Sequence, residues 1–284
     1  MSPIDPISVP EAASPLEGAP PLPVSAEPMP LVSARVNTEI DLVDVVLIGA
    51  VTVISFLILG IMAAAIFMAA HRSQHLNSKA LSDALAGNAF FVVPTQFVIY
   101  MSVLGFMALL VWVRHNTSLF QAIHWNPPDR RLAIYALTAG IALAFFSEIG
   151  EVVLHAWIPK SLPITEYFKD RPSALLLAAF GVLVAPLMEE ILFRGFLYPA
   201  LARWTGAVTS ILLTAIAFTL LHGAQLGYSW APLLLIFVVG MALTVTRAVT
   251  KSVATCVLVH MAYNFALMAQ SYILTHGFRQ MQGS

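Results

Sequence analysis

The chain has 284 residues, of which 59% are hydrophobic and only 10% are charged, and its mean hydropathy is +0.83. Soluble domains carry about 25% charged residues, so the composition excludes a soluble globular domain and predicts a polytopic membrane protein. The net charge of −1 gives no indication of nucleic-acid binding, and the single Cys256 excludes a disulfide framework. We therefore expect the lipid bilayer to be a partner of the chain, and nucleic acid not to be one.

Residues 1–42 differ in composition from the rest of the chain. Nine of the 18 prolines precede Leu31, and six acidic residues accompany a single base, Arg35. A charged, proline-rich segment with few aromatic residues cannot bury enough apolar surface to fold alone. We expect a disordered, solvated and partly extended tail, with docking to a partner as the alternative.

Seven apolar segments follow the tail, and about 20 residues suffice for a helix to cross a bilayer. We predict spans at 45–70, 89–113, from 132 up to Glu148, and at 173–201, 207–221, 231–246 and 252–274. An eighth span or a re-entrant element stays open. We place Arg247 outside these spans and expect Arg194 to be the only base well inside one.

The fourth span contains Glu189, Glu190 and Arg194, although an ionisable group at the bilayer centre costs roughly 2.5–3.5 kcal/mol. Residues four apart share a helix face, which predicts a Glu190–Arg194 ion pair and leaves Glu189 about 140° away from Arg194. Pro186 removes a backbone hydrogen bond, a break that is tolerated beside a wet cavity. Glu189 is therefore free for chemistry; the alternative is a structural charge cluster that fixes helix packing.

Two later stretches place further polar side chains in other spans. "FTLLH" puts Phe218 and His222 four residues apart, and "HMAYN" does the same for His260 and Asn264. Alone, each histidine or asparagine would be an ordinary contact between membrane helices. Together they predict one polar intramembrane cavity within an all-α, polytopic transmembrane helical bundle of seven to eight spans.

This set of side chains suits hydrolysis of a carbonyl group by water. A carboxylate takes a proton from water, a histidine shares that task, and an imidazole N–H with an amide stabilises the developing oxyanion. No serine or cysteine lies beside a histidine of the set, so a covalent nucleophile is not indicated. Zinc on Glu189, His222 and His260 is the alternative, but the chain has no HExxH helix, and we expect no metal cofactor.

The stretches "EEILFR", "FTLLH" and "HMAYN" fit the patterns EExxxR, FxxxH and HxxxN in that order. Over about 174–270 the chain thereby resembles the CPBP intramembrane proteases, which include type II CAAX prenyl endopeptidases and bacterial relatives linked to bacteriocin processing and self-immunity. The family is often labelled metalloprotease. The resemblance implies that water is activated by Glu189 and His222, that the oxyanion site is formed by His260 and Asn264, and that these residues are supported by Glu190 and Arg194.

The resemblance also implies a multi-pass endopeptidase of a prokaryotic cell membrane that acts on membrane-associated peptides or proteins. The chain then divides into the tail 1–42, N-terminal transmembrane helices 43–171, a catalytic core 172–275 and a short C-terminal tail 276–284. The alternatives are a non-proteolytic scaffold or immunity protein of the same family and, in another class, a proton-coupled transporter.

Glu148, Glu151 and His155 lie outside the three motifs, near the end of the third span. Their position before Trp157 and a lysine favours an interfacial cluster at the water boundary. A contact to the site, or part of a substrate entrance, is the alternative.

Overall fold

The computed structural model describes residues 40–70 and 88–279, which fall within one compact unit of the chain, 35–284. All regular secondary structure in these two ranges is helical, which confirms the predicted all-α fold. The predicted tail 1–42 lies outside the described residues except for its last three. The same holds for 280–284, the end of the predicted C-terminal tail.

Long uncharged runs form the helices, because a chain in hydrocarbon must satisfy its backbone hydrogen bonds internally. Side-chain oxygens of Asp129, Asp170 and Ser252 cap three of the helix starts. The helices in the described ranges are α1 (Leu42–Ala70), α2 (Ala89–His115), α3 (Leu119–Ala122), α4 (Arg130–Leu154), two 3₁₀ segments (His155–Trp157 and Pro163–Phe168), α5 (Arg171–Leu183), α6 (Ala185–Glu190), a π-helical segment (Ile191–Leu197), α7 (Tyr198–Leu221), α8 (Trp230–Thr250) and α9 (Val253–Leu274).

Six helical stretches in the described ranges are long and apolar enough to cross a bilayer. One of them, Arg171–Leu221, runs for 51 residues and contains two of the predicted spans. At 1.5 Å per residue it is about 75 Å long, more than twice the ~30 Å thickness of a hydrocarbon core. Gly206 divides it into two arms, because its φ of 78° and ψ of 171° are not helical.

Contacts at the ends of this stretch indicate that its two arms run in opposite directions. Just before the break, Arg203 Nη1 donates to the Ile40 carbonyl at the start of α1 (3.2 Å). Just beyond the second arm, the Gln225 carbonyl accepts from the Ile164 N–H (3.0 Å) in the connection that leads into the first arm. The stretch therefore accounts for two crossings, and the bundle is consistent with seven to eight spans.

The helix breaks where Pro186 predicts a break. α5 ends at Leu183, and α6 begins two residues later with Pro186 in its first turn. Val184 between them has a φ of −99° and a ψ of −49°. The break leaves backbone carbonyls at the end of α5 without their usual helical donors, directly before the glutamate pair.

α9 lies at the centre of the bundle. In the most apolar stretch of α9, 50% of the residues are buried within the protein, against 11% in the corresponding stretch of α1. Its contact with α4 is close at Gly140, where a Cβ would overlap the Val259 carbonyl oxygen and the Ala262 side chain. Small residues permit such close approach between membrane helices. α9 thus brings His260 and Asn264 into the protein interior rather than towards lipid.

Candidate active site

Glu190 holds two partners on one oxygen. Its side chain is fully buried, and its Oε1 lies 2.8 Å from Arg194 Nη1 and 2.8 Å from His260 Nδ1. The ion pair that the four-residue spacing predicts is therefore present, but the histidine was not predicted to share it. Oε2 is buried with no hydrogen-bond partner among the described residues, an unmet polar group of the kind that needs a functional explanation.

All three nitrogens of the Arg194 guanidinium have acceptors. Besides the bond to Glu190, Nε donates to Thr244 Oγ1 (3.3 Å) and Nη2 to the Gly240 carbonyl (2.9 Å) on α8. The guanidinium carbon also lies 4.6 Å from the centroid of the Phe218 ring, a cation–π contact. Arg194 is thus fixed from three helical segments and in turn fixes the position of Glu190.

The chain from Ile191 to Leu197 winds as a π-helix, a form that is rare and frequent at functional sites. Within it the Arg194 carbonyl accepts from Arg247 Nε (3.0 Å), while Arg247 Nη2 reaches the Ile123 carbonyl (3.4 Å). Arg247 is buried, so its predicted place outside the spans was wrong. α8 continues to Thr250, so Arg247 lies in its last turn, and its side chain ties α8 to the π-helical segment and to the residue after α3.

Glu189 points away from this pair, as the helical spacing predicts. Its Oε2 lies 3.8 Å from His260 Nε2, on the opposite side of the imidazole from Glu190. The side chain of Glu189 is 13% exposed, whereas that of Glu190 is 0% exposed. Of the two carboxylates, Glu189 is the one that a substrate or water can reach.

His222 joins the cluster through Phe218. Its ring centroid lies 4.7 Å from that of Phe218, which in turn lies 5.9 Å from that of His260. His222 Nδ1 is 2.9 Å from the Phe218 carbonyl and must donate to it. In the neutral ring Nε2 is therefore an acceptor, and this atom has no partner among the described residues. Both histidine rings therefore contact the ring of Phe218.

Asn264 follows His260 by one turn, and its Nδ2 donates to the Gly181 carbonyl (2.6 Å). This carbonyl lies in the last turn of α5, where the helix break removes the ordinary backbone donor. Asn264 thus ties the broken helix to α9. Its second amide N–H remains for another acceptor, which is what the predicted oxyanion role needs.

Among the described residues, no three His, Cys, Asp or Glu side chains are grouped closely enough to hold a metal ion. This includes the alternative zinc set, Glu189, His222 and His260. His260 and His222 each bind a protein acceptor through Nδ1, so Nε2 is the ring nitrogen that remains on each.

Tyr100 lies beside the site, and nothing in the sequence indicated its position there. It stacks on Phe180 at 5.8 Å, and Phe180 precedes Gly181, whose carbonyl binds Asn264. It comes from α2, outside the motifs. In the sequence, Phe218 appears only as the first residue of the FxxxH motif. In the structure it packs against Arg194 and both histidines.

The acidic group outside the motifs has other partners. Glu148 Oε2 accepts from Gln270 Nε2 (2.8 Å), and His155 Nδ1 lies 2.9 Å from the Val152 carbonyl. Glu151 is exposed. These contacts favour the interfacial cluster over a contact to the site.

Residues 171–266 match the family model described as Type II CAAX prenyl endopeptidase Rce1-like. The match supports membership of the CPBP family. It covers about a third of the chain, from α5 into α9, and contains all six residues of the predicted site. No curated protein and no solved structure matches the chain. The match supports a CAAX-type intramembrane protease in general, and six apolar helices support an integral membrane protein.

Proposed function

We propose that the protein is an intramembrane endopeptidase that hydrolyses peptide bonds of membrane-associated substrates with water activated by Glu189. One observation carries this proposal. A partly exposed carboxylate faces an imidazole across 3.8 Å, and the far side of that imidazole is held by a fully buried glutamate–arginine pair. An active site needs this combination of one accessible base and a rigid support.

His260 lies between two carboxylates, and an ionised carboxylate can only accept hydrogen bonds. The Nδ1 of His260 faces Glu190, and its Nε2 faces Glu189. In this proposal His260 therefore donates through Nδ1–H to Glu190 and keeps an Nε2–H for the reaction.

The first chemical step uses two hydrogen-bond acceptors, the Glu189 carboxylate and His222 Nε2. Glu189 takes a proton from a water molecule, while His222 Nε2 accepts that molecule's other hydrogen and orients it. The water oxygen then attacks the carbonyl carbon of the peptide bond, and the carbonyl oxygen becomes an oxyanion. The proton on Glu189 passes to the leaving amine as the C–N bond breaks.

The oxyanion is stabilised in this proposal by His260 Nε2–H and by the second amide N–H of Asn264. Both come from α9, one helical turn apart, and both side chains are already positioned by bonds to Glu190 and Gly181. Donors that are held in place before the reaction stabilise developing charge without reorganisation. The roles inferred from the family resemblance are therefore kept in this proposal.

We also propose that the reaction uses no metal, because no three His, Cys, Asp or Glu side chains among the described residues are grouped closely enough to hold one. Purified protein should contain no stoichiometric zinc, and its activity should survive mild chelation. About one zinc per chain by elemental analysis, with activity lost on chelation and restored by zinc, would contradict this.

Comparison of membranes that contain the wild type or Glu189→Ala tests the proteolytic function. New peptide termini should be present with the wild type and absent with the variant. Glu151→Ala, which removes an exposed carboxylate from α4, is the matched control and should preserve cleavage. Identical termini in all three samples, with the protein folded and present, would favour the scaffold alternative.

We expect the site of action to be the cell membrane of a prokaryote.

A further inference from the structure

A second polar cavity lies at the end of the bundle where α9 ends and α5 begins. It is open, has a volume of about 350 Å³, and has a wall that is basic on one side and apolar on the other. It is separate from the glutamate site. The lining residues are Arg171, Tyr272, Ile273, His276, Gly277 and Arg279.

The basic wall is held in shape by a tight turn. Arg171 Nε donates to the Gly277 carbonyl (3.1 Å), and the Gly277 N–H donates to the Tyr272 carbonyl (2.7 Å). His276, Gly277 and Phe278 all have positive φ, at 50°, 79° and 58°. Non-glycine residues rarely adopt this region, and such strain persists only where the surrounding structure imposes it. Here Phe278 is buried and packs edge to face against Tyr272.

The two arginines of this cavity form no ion pair with any of the described residues. Both Nη atoms of Arg171 and the whole guanidinium of Arg279 have no acceptor there. The nearest carboxylate in sequence, Asp170, is engaged by the Ser173 backbone N–H (2.9 Å) and hydroxyl (3.0 Å). Two guanidinium groups and the His276 imidazole therefore present donors to a space that an anion would fill favourably.

Two tryptophans lie at the same end of the bundle as this cavity. The connection between α4 and α5 and the start of α8 lie at the same end of the bundle, and they carry Trp157 and Trp230, which pack at 5.8 Å and are about half exposed. Tryptophan is enriched at the interface between hydrocarbon and headgroups. Tyr272 and Ile273, the apolar wall, are 42% and 71% exposed, which leaves them open to contact with lipid chains.

We propose that this cavity binds a phosphate group, and that its source is the headgroup of an anionic phospholipid. Arg171 and Arg279 donate charge-assisted hydrogen bonds to the phosphate oxygens, and the first part of an acyl chain lies along Tyr272 and Ile273. A soluble phosphate would use the same guanidinium groups but would leave the apolar wall exposed. The bound lipid would join the end of α9, which carries His260 and Asn264, to the start of α5.

The test uses full-length protein in non-ionic detergent and three probes: short-chain phosphatidylglycerol, phosphatidylcholine of equal chain length, and inorganic phosphate. Arg171→Gln/Arg279→Gln should bind phosphatidylglycerol at least about tenfold more weakly than the wild type, because two charge-assisted contacts are lost. Arg130→Gln/Arg131→Gln removes the same charge from exposed positions at the start of α4 and should bind like the wild type.

Arg171 also bonds the turn, so Arg279→Gln alone is a second variant. It removes no hydrogen bond described within the chain and should weaken phosphatidylglycerol binding at least about threefold. Equal losses in the two double variants, or an Arg279→Gln variant that binds like the wild type, would overturn the site. Inorganic phosphate binding as tightly as phosphatidylglycerol would overturn the lipid as its source.

Discussion

Two buried carboxylates in this chain have the same kinds of partner but different surroundings. Asp44 in α1 is fully buried and lies 2.7 Å from Arg114 Nε and 2.9 Å from His115 Nε2 of α2. Glu190 is equally buried and likewise binds one arginine and one histidine. In each cluster one acid joins two cationic or potentially cationic side chains across helices.

The two clusters differ in what surrounds the shared carboxylate. In the first, Arg114 is 34% exposed and both cations come from adjacent positions in α2, so the cluster connects two helices at a bundle end. In the second, Arg194 is 0% exposed, and the far nitrogen of the histidine faces a second carboxylate, Glu189. A buried acid–arginine–histidine cluster therefore does not by itself indicate a site. The first cluster also has a second carboxylate, Asp41, but that one pairs with the exposed Arg114. In the second cluster the accessible carboxylate, Glu189, faces the histidine instead, and this makes the difference.

Of the proposed substitutions, replacement of Glu189 should have the largest effect on activity, and the first cluster has no residue in a corresponding role. Glu189→Ala removes the group that accepts the proton, and activity should fall by about 10²–10⁴, the usual contribution of a general base. The folded state should keep its stability, since Glu189 is partly exposed and makes no hydrogen bond within 3.5 Å among the described residues. Peptide cleavage and the melting midpoint of the same preparation check this. A large fall in the midpoint would give Glu189 a structural role.

The local part of the site could be predicted because it depends on helical spacing alone. Glu190 and Arg194 are four apart and do pair, and Glu189 does point elsewhere. The break at Pro186 follows from the missing N–H of proline. Residue spacing does not reveal the π-helical winding of Ile191–Leu197, but this winding does not disrupt the Glu190–Arg194 ion pair.

The contacts between helices could not be predicted, because they depend on how the bundle packs. His260 is 70 residues from Glu190, and no spacing rule indicates that its Nδ1 binds that carboxylate. Arg247 follows the predicted end of its span by one residue, so its burial depends on the extra turn of α8. Tyr100 carries no motif, and only the packing of α2 against α5 brings it to the site.

Removal of each arginine tests the difference in burial. Arg194→Ala leaves Glu190 charged in a buried position and should cost about 3–5 kcal/mol of stability along with activity. Arg114→Ala also leaves a buried carboxylate, Asp44, but Arg114 is 34% exposed, so water can replace it there and the cost should be smaller, about 1–3 kcal/mol. Unfolding in detergent measures both. Equal costs would contradict the distinction between the clusters, and loss of activity alone in Arg194→Ala would give this arginine a direct role in the reaction.

Neutral isosteres of the two acids should differ in activity more than in stability. Asp44→Asn and Glu190→Gln each leave buried donors without a charged acceptor, at about 1–3 kcal/mol. Only Glu190→Gln should also lower cleavage per folded molecule, because His260 loses the acceptor that orients it. Cleavage rates normalised to folded protein test this. Equal activity losses in both variants would show that the α1–α2 contact shapes the active site at a distance.

The smallest expected effect is the pH dependence of the first cluster, at Asp41, which precedes α1. Burial acts to raise the pKa of Asp41, but the Asp44 backbone N–H and the charge of Arg114 outweigh it and hold the pKa below its ordinary value. The folded protein therefore binds this proton less tightly than the unfolded chain does. The stabilisation is complete above the unfolded pKa of about 3.9 and is lost as the pH falls through the lower folded value.

Asp41 is 36% exposed, so its contribution should stay within the about 0–1 kcal/mol of an exposed ion pair. Melting midpoints of the wild type and of Asp41→Asn should differ at about pH 6 and converge towards about pH 3, because the wild-type carboxylate then becomes neutral too. Thr165→Ala, a polar-to-apolar change on an exposed hydroxyl that bonds only the Leu162 carbonyl, is a control with no charge to titrate. The midpoints of the wild type and of Asp41→Asn could instead differ by the same amount at every pH. Asp41 would then stabilise the fold through its shape and not through its ion pair with Arg114.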